Sequence, residues 1–334
     1  MNSKAANPSI VKYSDPDFNQ QFENLAKSQS FFSSLYTSSS LSYYKQRPTD
    51  EGKLVQDQSF IIQQEGCPIL GFIGAKVVEK DVVNLISSEI PCVSIADKAI
   101  NKRSKRIATD YMEEVLGKVN GKIIFRDYLI NGNLSTISKY LLEKKGEAKQ
   151  HFSQIIDLHN PHNLEKASMR KSYTSIINWG LRELNPQIYN SQNITRMLMD
   201  EFRKLHIKEV GRETRSVQSW IRQLEMIQAG EAFIVLGVWK GELVSAAFFP
   251  CNFNHCYYGS PASRRDLFEK PLLHSLMWKA IHYAKEIGCR WFEVGEQVFP
   301  NSKLNPTEKE MNISHFKAGF GGDTYMFLDI HLHN

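Results

Sequence analysis

The sequence predicts an α/β protein with mixed sheets, built as two units of the same kind in tandem. Three observations carry that expectation. Runs of β-branched residues broken by turn residues at hairpin spacing occur twice, over residues 59–88 and again over 232–260. Each cluster is followed by the same order of helix, strand, helix, strand, although the two halves hardly match in sequence. At 334 residues the chain is also long for one ordinary domain and suits two of similar size.

Taken in order, residues 1–55 are rich in Ser, Asn, Gln, Lys and Tyr and read as a loosely ordered lead-in with one or two helical turns. Tyr43, Tyr44 and Arg47 are placed to edge a pocket, but a surface turn before Pro48 is the expected reading. From Ser59, the segments SFIIQQ, PILGFIGAKVVE and VVNLISS read as three strands of an antiparallel meander. Asp97 and Gly117 then bracket a helix whose buried stripe includes Ile100, Ile107, Met112, Val115 and Leu116. Lys102, Arg103, Lys105 and Arg106 point around that whole helix, so they read as a solvated face, with contact to an anionic headgroup or phosphate as the functional alternative. A strand KIIFRDYL, a helix over 134–145 and a strand over 151–158 complete the first half.

Residues 161–184 read as one long helix with Tyr173, Ile176, Ile177, Gly180 and Leu184 on one side. The expected domains are therefore 1–160 and 186–334, joined by a linking helix over 161–185. The second half predicts a strand at 187–189, helices over 194–210 and 217–229, and strands AFIVLGVW, ELVSAAFFP and HCYYGS. A helix over 271–287 lies between Pro271 and Gly288. The strand CRWFEVG, a short helix ending at Lys317 and the last strand TYMFLDIHL follow.

Composition narrows the function classes. Forty-one basic against 36 acidic residues give +5, too mild an excess for a dedicated nucleic-acid module, so no DNA partner is expected. Five cysteines without a C-x-x-C pair, and no charged-then-apolar leader, point to the reducing cytoplasm. The longest apolar runs are too short to span a bilayer, which leaves open peripheral contact with the inner face of a membrane. His159 and His162 have metal-like spacing but lack Cys or carboxylate companions, so no metal is expected.

Two stretches carry a family resemblance. The helix ending Ala284-Lys285-Glu286-Ile287-Gly288, followed by Phe292-Glu293-Val294-Gly295, looks like the C-terminal half of Gcn5-related N-acyltransferase folds. The later I-x-x-F-K-x-G-F-G-G, running from Ile313 to Gly322, resembles the closing motif of Fem-type aminoacyltransferases of bacterial envelope synthesis. Those relatives carry two tandem copies of the acyltransferase fold. The match is at motif level over residues 230–330 and architectural over the first half. It implies an N-acyltransferase acting on an amine of a cell-envelope or surface-polysaccharide precursor, a small-molecule or lipid-linked amino sugar.

The donor is less directly implied. Coenzyme-A-dependent members of the superfamily hold the pyrophosphate on a glycine-rich loop before the long helix. Residues 263–271 contain no glycine, which makes Arg264, Arg265 and Lys270 the candidates to replace that loop with side-chain charge. Fem-type members draw the acyl group from aminoacyl-tRNA and often carry a coiled-coil arm, for which GRETRSVQSWIRQLEMIQ is too short. Acyl-CoA is the favoured donor, as a co-substrate with no tightly bound cofactor. Aminoacyl-tRNA, or a catalytically inactive fold used for binding, are the alternatives.

Acyl transfer to an amine needs a neutral amine, a stabilised oxyanion and a route for the departing proton. Glu293, at a strand end beside a glycine, is a candidate to accept the amine proton or orient the amine. A rim carboxylate paired with an arginine explains it equally well. Tyr258 is the second catalytic candidate, since strand alternation lets one of Tyr257 and Tyr258 line a cleft. Lys317 and His315 are candidates to bind a substrate phosphate or carboxylate, with Gly319, Gly321 and Gly322 permitting close backbone approach. The competing reading makes those glycines a helix stop and Lys317 a last-turn cation. Glu296 and Arg170 complete the substrate-binding set; for Arg170 the alternative is an exposed basic helix face.

Overall fold

The structure is a computed structural model and describes residues 9–64, 66–79, 82–85, 93–95, 106, 110, 111, 113, 114, 122–300 and 305–333. The chain forms β1 (Ser9–Lys12), α1 (Phe18–Lys27), α2 (Ser38–Asp50), β2 (Leu54–Asp57), β3 (Phe60–Gln64), β4 (Cys67–Ile73), β5 (Ala75–Glu79), β6 (Val82–Leu85) and β7 (Val93–Ile95). After these come β8 (Lys122–Tyr128), α3 (Thr136–Glu143), β9 (Glu147–Asp157), α4 (Tyr173–Glu183), β10 (Gln187–Tyr189), α5 (Arg196–Val210) and α6 (Val217–Gln228). The chain closes with β11 (Ala232–Trp239), β12 (Glu242–Pro250), β13 (His255–Tyr257), β14 (Ser260–Ser263), α7 (His274–Glu286), β15 (Trp291–Gln297), α8 (Glu308–Ala318) and β16 (Asp323–His333). Most of the helix expected over 97–117 lies outside the described residues; Arg106, Asp110, Tyr111, Glu113 and Glu114 are helical.

Two compact units result: residues 1–32, 44–151 and 326–334 in the first, 33–43 and 152–325 in the second. The chain passes between them inside the strands β9 and β16 and at the segment 33–43. In the first unit β1, β3, β4 and β7 form one sheet, and β2, β5, β6 and β8 follow one another in a second, with β16 pairing antiparallel to β8. Its core gathers Phe60, Phe72, Phe125, Ile137, Leu141 and Ile330. Arg126 reaches across that pairing to Asp329 with two hydrogen bonds, 2.8 and 2.7 Å, a fork geometry that ties the strands in register.

Residues 9–55 are better ordered than their composition suggests. Phe18, Phe22, Leu25 and Ala26 fall on one face of α1; Phe18, Leu25 and Ala26 are buried, and Phe18 stacks on Phe22. Pro48, expected to follow a turn, sits inside α2. The long run expected as one strand divides at Gly74 into β4 and β5, which belong to different sheets. Ser59 makes that break tolerable: its hydroxyl accepts the Gly74 N–H at 3.2 Å, and the Gly74 carbonyl accepts from Gln58 at 2.9 Å.

In the second unit β10, β11, β12 and β14 form an antiparallel sheet. β13 pairs parallel with β15, which pairs antiparallel with β9. One core lies under α4 and α7 and gathers Tyr173, Ile177, Leu276, Phe292 and Phe320. A second, with Phe202, Trp220, Ile227 and Phe248, lies under α5 and α6. Gly180 lets α4 and α7 close on each other, because a Cβ there would sit 2.4 Å from the Ser275 hydroxyl.

The helix expected over 161–184 is interrupted. Two short 3-10 turns, Pro161–Leu164 and Lys166–Ser168, precede α4, which begins at Tyr173. The cause is local bonding: Asn160 caps the first turn through the His162 N–H, and Arg170 gives its own N–H to the Gly319 carbonyl. α4 lies wholly within the second unit.

His206 on α5 gives this unit an acid-sensitive element. It is 7% exposed, lies edge-on to Trp220, and burial, followed by nearby Arg215, pulls its imidazole from about 6.5 down to about 4. The unfolded chain therefore binds the extra proton between those values, so the contribution is complete above 6.5 and is lost as pH falls toward 4. Thermal midpoints across this window are expected to fall for wild type and to fall less steeply for His206→Phe. Equal slopes would remove His206 from the account.

Candidate active site

The site grows out of a change of strand partner. In the parallel pair, Tyr257 stands opposite Glu293, and the Tyr258 N–H donates to the Glu293 carbonyl at 2.9 Å. The next N–H, that of Gly259, turns to the Phe248 carbonyl at 3.0 Å, and β14 continues on β12 instead. Two parallel strands thus separate after Tyr258. Glycine suits the turning point, since a Cβ there would stand 3.1 Å from both the Phe248 oxygen and the Pro250 ring.

A cavity of about 760 Å³ lies at this separation, walled by Tyr257, Tyr258, Leu273, Phe316, Lys317 and Glu209 among others. Both tyrosines reach it, where strict alternation allows one, because the partner switch interrupts the strand between them and β14. Tyr258 is otherwise buried against Phe249. Desolvation, helped by the charge of Glu209, pushes its phenol well above the ordinary value, so it remains a neutral hydrogen-bond donor.

Lys317 enters from the last turn of α8. A capping box starts that helix: the Thr307 hydroxyl accepts the Glu310 N–H while Glu310 accepts the Thr307 N–H. Ser314 binds it to β15 by donating to Gln297 at 2.7 Å and accepting from the Val298 N–H. The Lys317 ammonium donates to the Glu296 carbonyl at 3.2 Å and lies over Gly295, where a Cβ would be 3.0 Å from Nζ. Burial pulls the Lys317 pKa down, while Glu296 and Glu293 act against that shift. The lysine is therefore directed to β15 and the cavity, more than a helix-dipole cation needs to be.

The structure does not place the Glu293 carboxylate in the cavity wall. It is 4% exposed, accepts from the Ser153 hydroxyl at 2.6 Å, and has His255 Nε2 3.1 Å from its other oxygen. His255, fully buried, receives the Ser34 N–H at Nδ1, 3.0 Å, which puts the proton of the neutral ring on Nε2, toward Glu293. Ser34, Ser153 and His255 escaped the sequence reading because the bond partners are 221 and 140 positions apart.

Of the remaining candidates, Glu296 lies near enough to Lys317 for its charge to act on it, but neither it nor the others stand in the cavity wall. Arg170 caps α8, donating to the His315 carbonyl at 2.7 Å, and Tyr173 donates to the Phe316 carbonyl at 3.0 Å. The side chains of His315 and Glu296 are exposed. Arg264 is engaged by Glu242 and Asp266, whose carboxylates raise its pKa further. Arg265 is exposed on a short 3-10 turn, and Lys270 lies 6.0 Å from the Trp239 ring. The replacement of a phosphate loop by three free cations is thus reduced, because local carboxylates already hold one of them.

Cys251, Cys256 and Cys289 are buried, and desolvation pushes all three thiols up, Cys289 to about 12, so none is poised as a thiolate nucleophile. Among the described residues no group of three or more His, Cys, Asp and Glu could hold a metal ion, and no helix is long and apolar enough to cross a membrane.

No family model and no curated protein matches the sequence. Solved structures do. The chain is similar to FemX, with 12% identity, a TM-score of 0.73, and 96% of this chain and 97% of that one covered. It is also similar to the C-terminal domain assigned to a lysylphosphatidylglycerol synthetase of Agrobacterium fabrum, at 13% identity and TM-score 0.57, covering 93% and 91%. A third likeness is to a tandem Gcn5-related protein of the clavulanic acid biosynthesis pathway, at 11% identity and TM-score 0.53, covering 97% and 98%. The chain has the mixed α/β fold of FemX and of the tandem Gcn5-related protein.

Proposed function

We propose that the protein is an N-acyltransferase that moves an acyl group onto an amine of a cell-envelope or surface-polysaccharide precursor. The observation that carries this reading is the cavity at the parting of two parallel strands, with a neutral phenol and a partly desolvated ammonium on its walls. The ammonium of Lys317 supplies positive charge where an oxyanion develops or where a substrate phosphate rests. The phenol of Tyr258 supplies a proton to the departing thiolate or alkoxide. Glu293 acts behind them: with His255 and Ser153 it steadies β15, and its charge, after that of Glu296, works against the desolvation of Lys317.

Acyl-CoA is the donor favoured by the sequence. The engagement of Arg264 by Glu242 and Asp266 supports the second reading, an aminoacyl-tRNA donor that needs no pyrophosphate loop. Purified protein with acetyl-CoA, and separately with aminoacyl-tRNA, distinguishes them by thermal midpoint. A donor at a hundred times its Kd stabilises the folded state by about 2.7 kcal/mol. Stabilisation by one donor identifies it, and stabilisation by neither overturns the transferase reading in favour of a binding module.

A further inference from the structure

We propose that Glu209 is the carboxylate that receives the acceptor amine and takes its proton, so that the cavity selects a cationic primary amine. The proposal rests on the transferase reading above and names the group that reading lacks. A proton acceptor must reach the amine, and the Glu293 carboxylate is held by Ser153 and His255 outside the cavity wall.

Glu209 is in that wall, one residue before the end of α5. Among the described residues its one hydrogen bond is to Oε2, from the Ser263 N–H at 3.1 Å. That bond anchors one oxygen at the end of β14, just past the partner switch, and leaves Oε1 to a ligand. Pro261, Leu273, Ile313 and Phe316 make the neighbouring surface largely apolar. A half-buried carboxylate in such surroundings gains most from a cation and little from a neutral hydroxyl.

The charged groups around it are Arg265 beyond β14, Lys309 and Glu308 on α8, and Lys317 farther along the same helix. Burial raises the Glu209 pKa above the ordinary glutamate value; the Ser263 bond, Arg265 and Lys309 offset only part of that rise. Such a carboxylate is a better proton acceptor than an exposed one. Its charge also contributes to the raised pKa of Tyr258, which places base and phenol within electrostatic reach of each other.

The bound ammonium gives one proton to Glu209, and the neutral amine attacks the acyl carbonyl carbon. A C–N bond forms and the C–S or C–O bond to the donor breaks. The second amine proton leaves with the thiolate or alkoxide through Tyr258, and Glu209 returns its proton to solvent.

The test uses the full chain with glucosamine as probe and glucose and N-acetylglucosamine as neutral analogues, read by ligand-observed NMR at pH 7. Wild type is expected to prefer glucosamine by about tenfold, a preference that Glu209→Gln removes and Glu209→Asp retains. Glutamine still offers Ser263 an acceptor, and an unchanged thermal midpoint verifies the fold. With acetyl-CoA or aminoacyl-tRNA as donor, Glu209→Gln is expected to lower kcat/KM about 100-fold and to abolish the acidic limb of its pH profile. Absence of the amine preference in wild type, or an unchanged acidic limb in Glu209→Gln, overturns the proposal. Failure of transfer from both donors in wild type, with a Glu209-dependent amine preference intact, overturns the transferase reading and leaves Glu209 as a cation site.

Discussion

Lys317→Ala is expected to slow acyl transfer by about 100- to 1,000-fold, the usual cost of removing one preorganised donor from a developing oxyanion. Little stability should go with it, since the folded state loses one donor to the Glu296 carbonyl, about 1 kcal/mol. Lys317→Arg is expected to fail as a rescue. The ammonium already lies within 3.0 Å of where a side chain on Gly295 would begin, and a planar guanidinium needs more room. Single-turnover transfer with whichever donor stabilises the protein is the measurement. A rate within a few-fold of wild type for Lys317→Ala, with the fold intact, would sink the assignment of Lys317.

Gly322→Ala is expected to destabilise the second unit by about 3 kcal/mol or more, because strain and collision coincide. Its φ of +74° already disfavours a side chain, and a Cβ would stand 2.4 Å from the backbone oxygen of Ile155. Backbone in a sheet cannot step aside. Gly319→Ala makes an equally short approach, 2.4 Å, but to the ring of Tyr173 and from an ordinary helical conformation. A ring can rotate and shift, so this variant is expected to lose less. Urea midpoints at constant m-value compare the two; an equal or reversed order would show that the packing around Ile155 yields more readily than its geometry implies.

These glycines illustrate how far the sequence could be read. The spacing Lys-Ala-Gly-Phe-Gly-Gly predicts a helix stop before the last strand, and α8 does end at Ala318. It could not show that Gly322 is also a contact with a strand 167 positions earlier. Elements with a strong period, such as α7, β11, β12 and β15, were legible because alternation or a 3.6-residue stripe survives any packing. The break of HCYYGS into β13 and β14 was not, since it depends on which neighbouring strand accepts each N–H. Nor was the interrupted start of α4, where a carbonyl from the far end of the chain takes the Arg170 N–H.

The candidate site divides along the same line. Tyr258 and Lys317 were recoverable from position at a strand end and within a motif, and the cavity has both. Glu293 was selected as the acid at the strand end, but strand alternation and the bulge after it bury its carboxylate on Ser153 and His255. Glu209 was missed because the helix carrying it reads RMLMDEFRKLHIKEV, with three acids and no local mark to distinguish the one facing a cavity.

The interleaving of chain segments imposes an order on synthesis. The first unit takes its β8 partner, with Ile330 in its core and Asp329 on Arg126, from residues 326–333. The second takes Ser34 from the opposite end. Residues 326–333 must therefore emerge before the first unit is complete, so domain-by-domain maturation in chain order is closed to it. A trim of the last strand would strike the module encoded first.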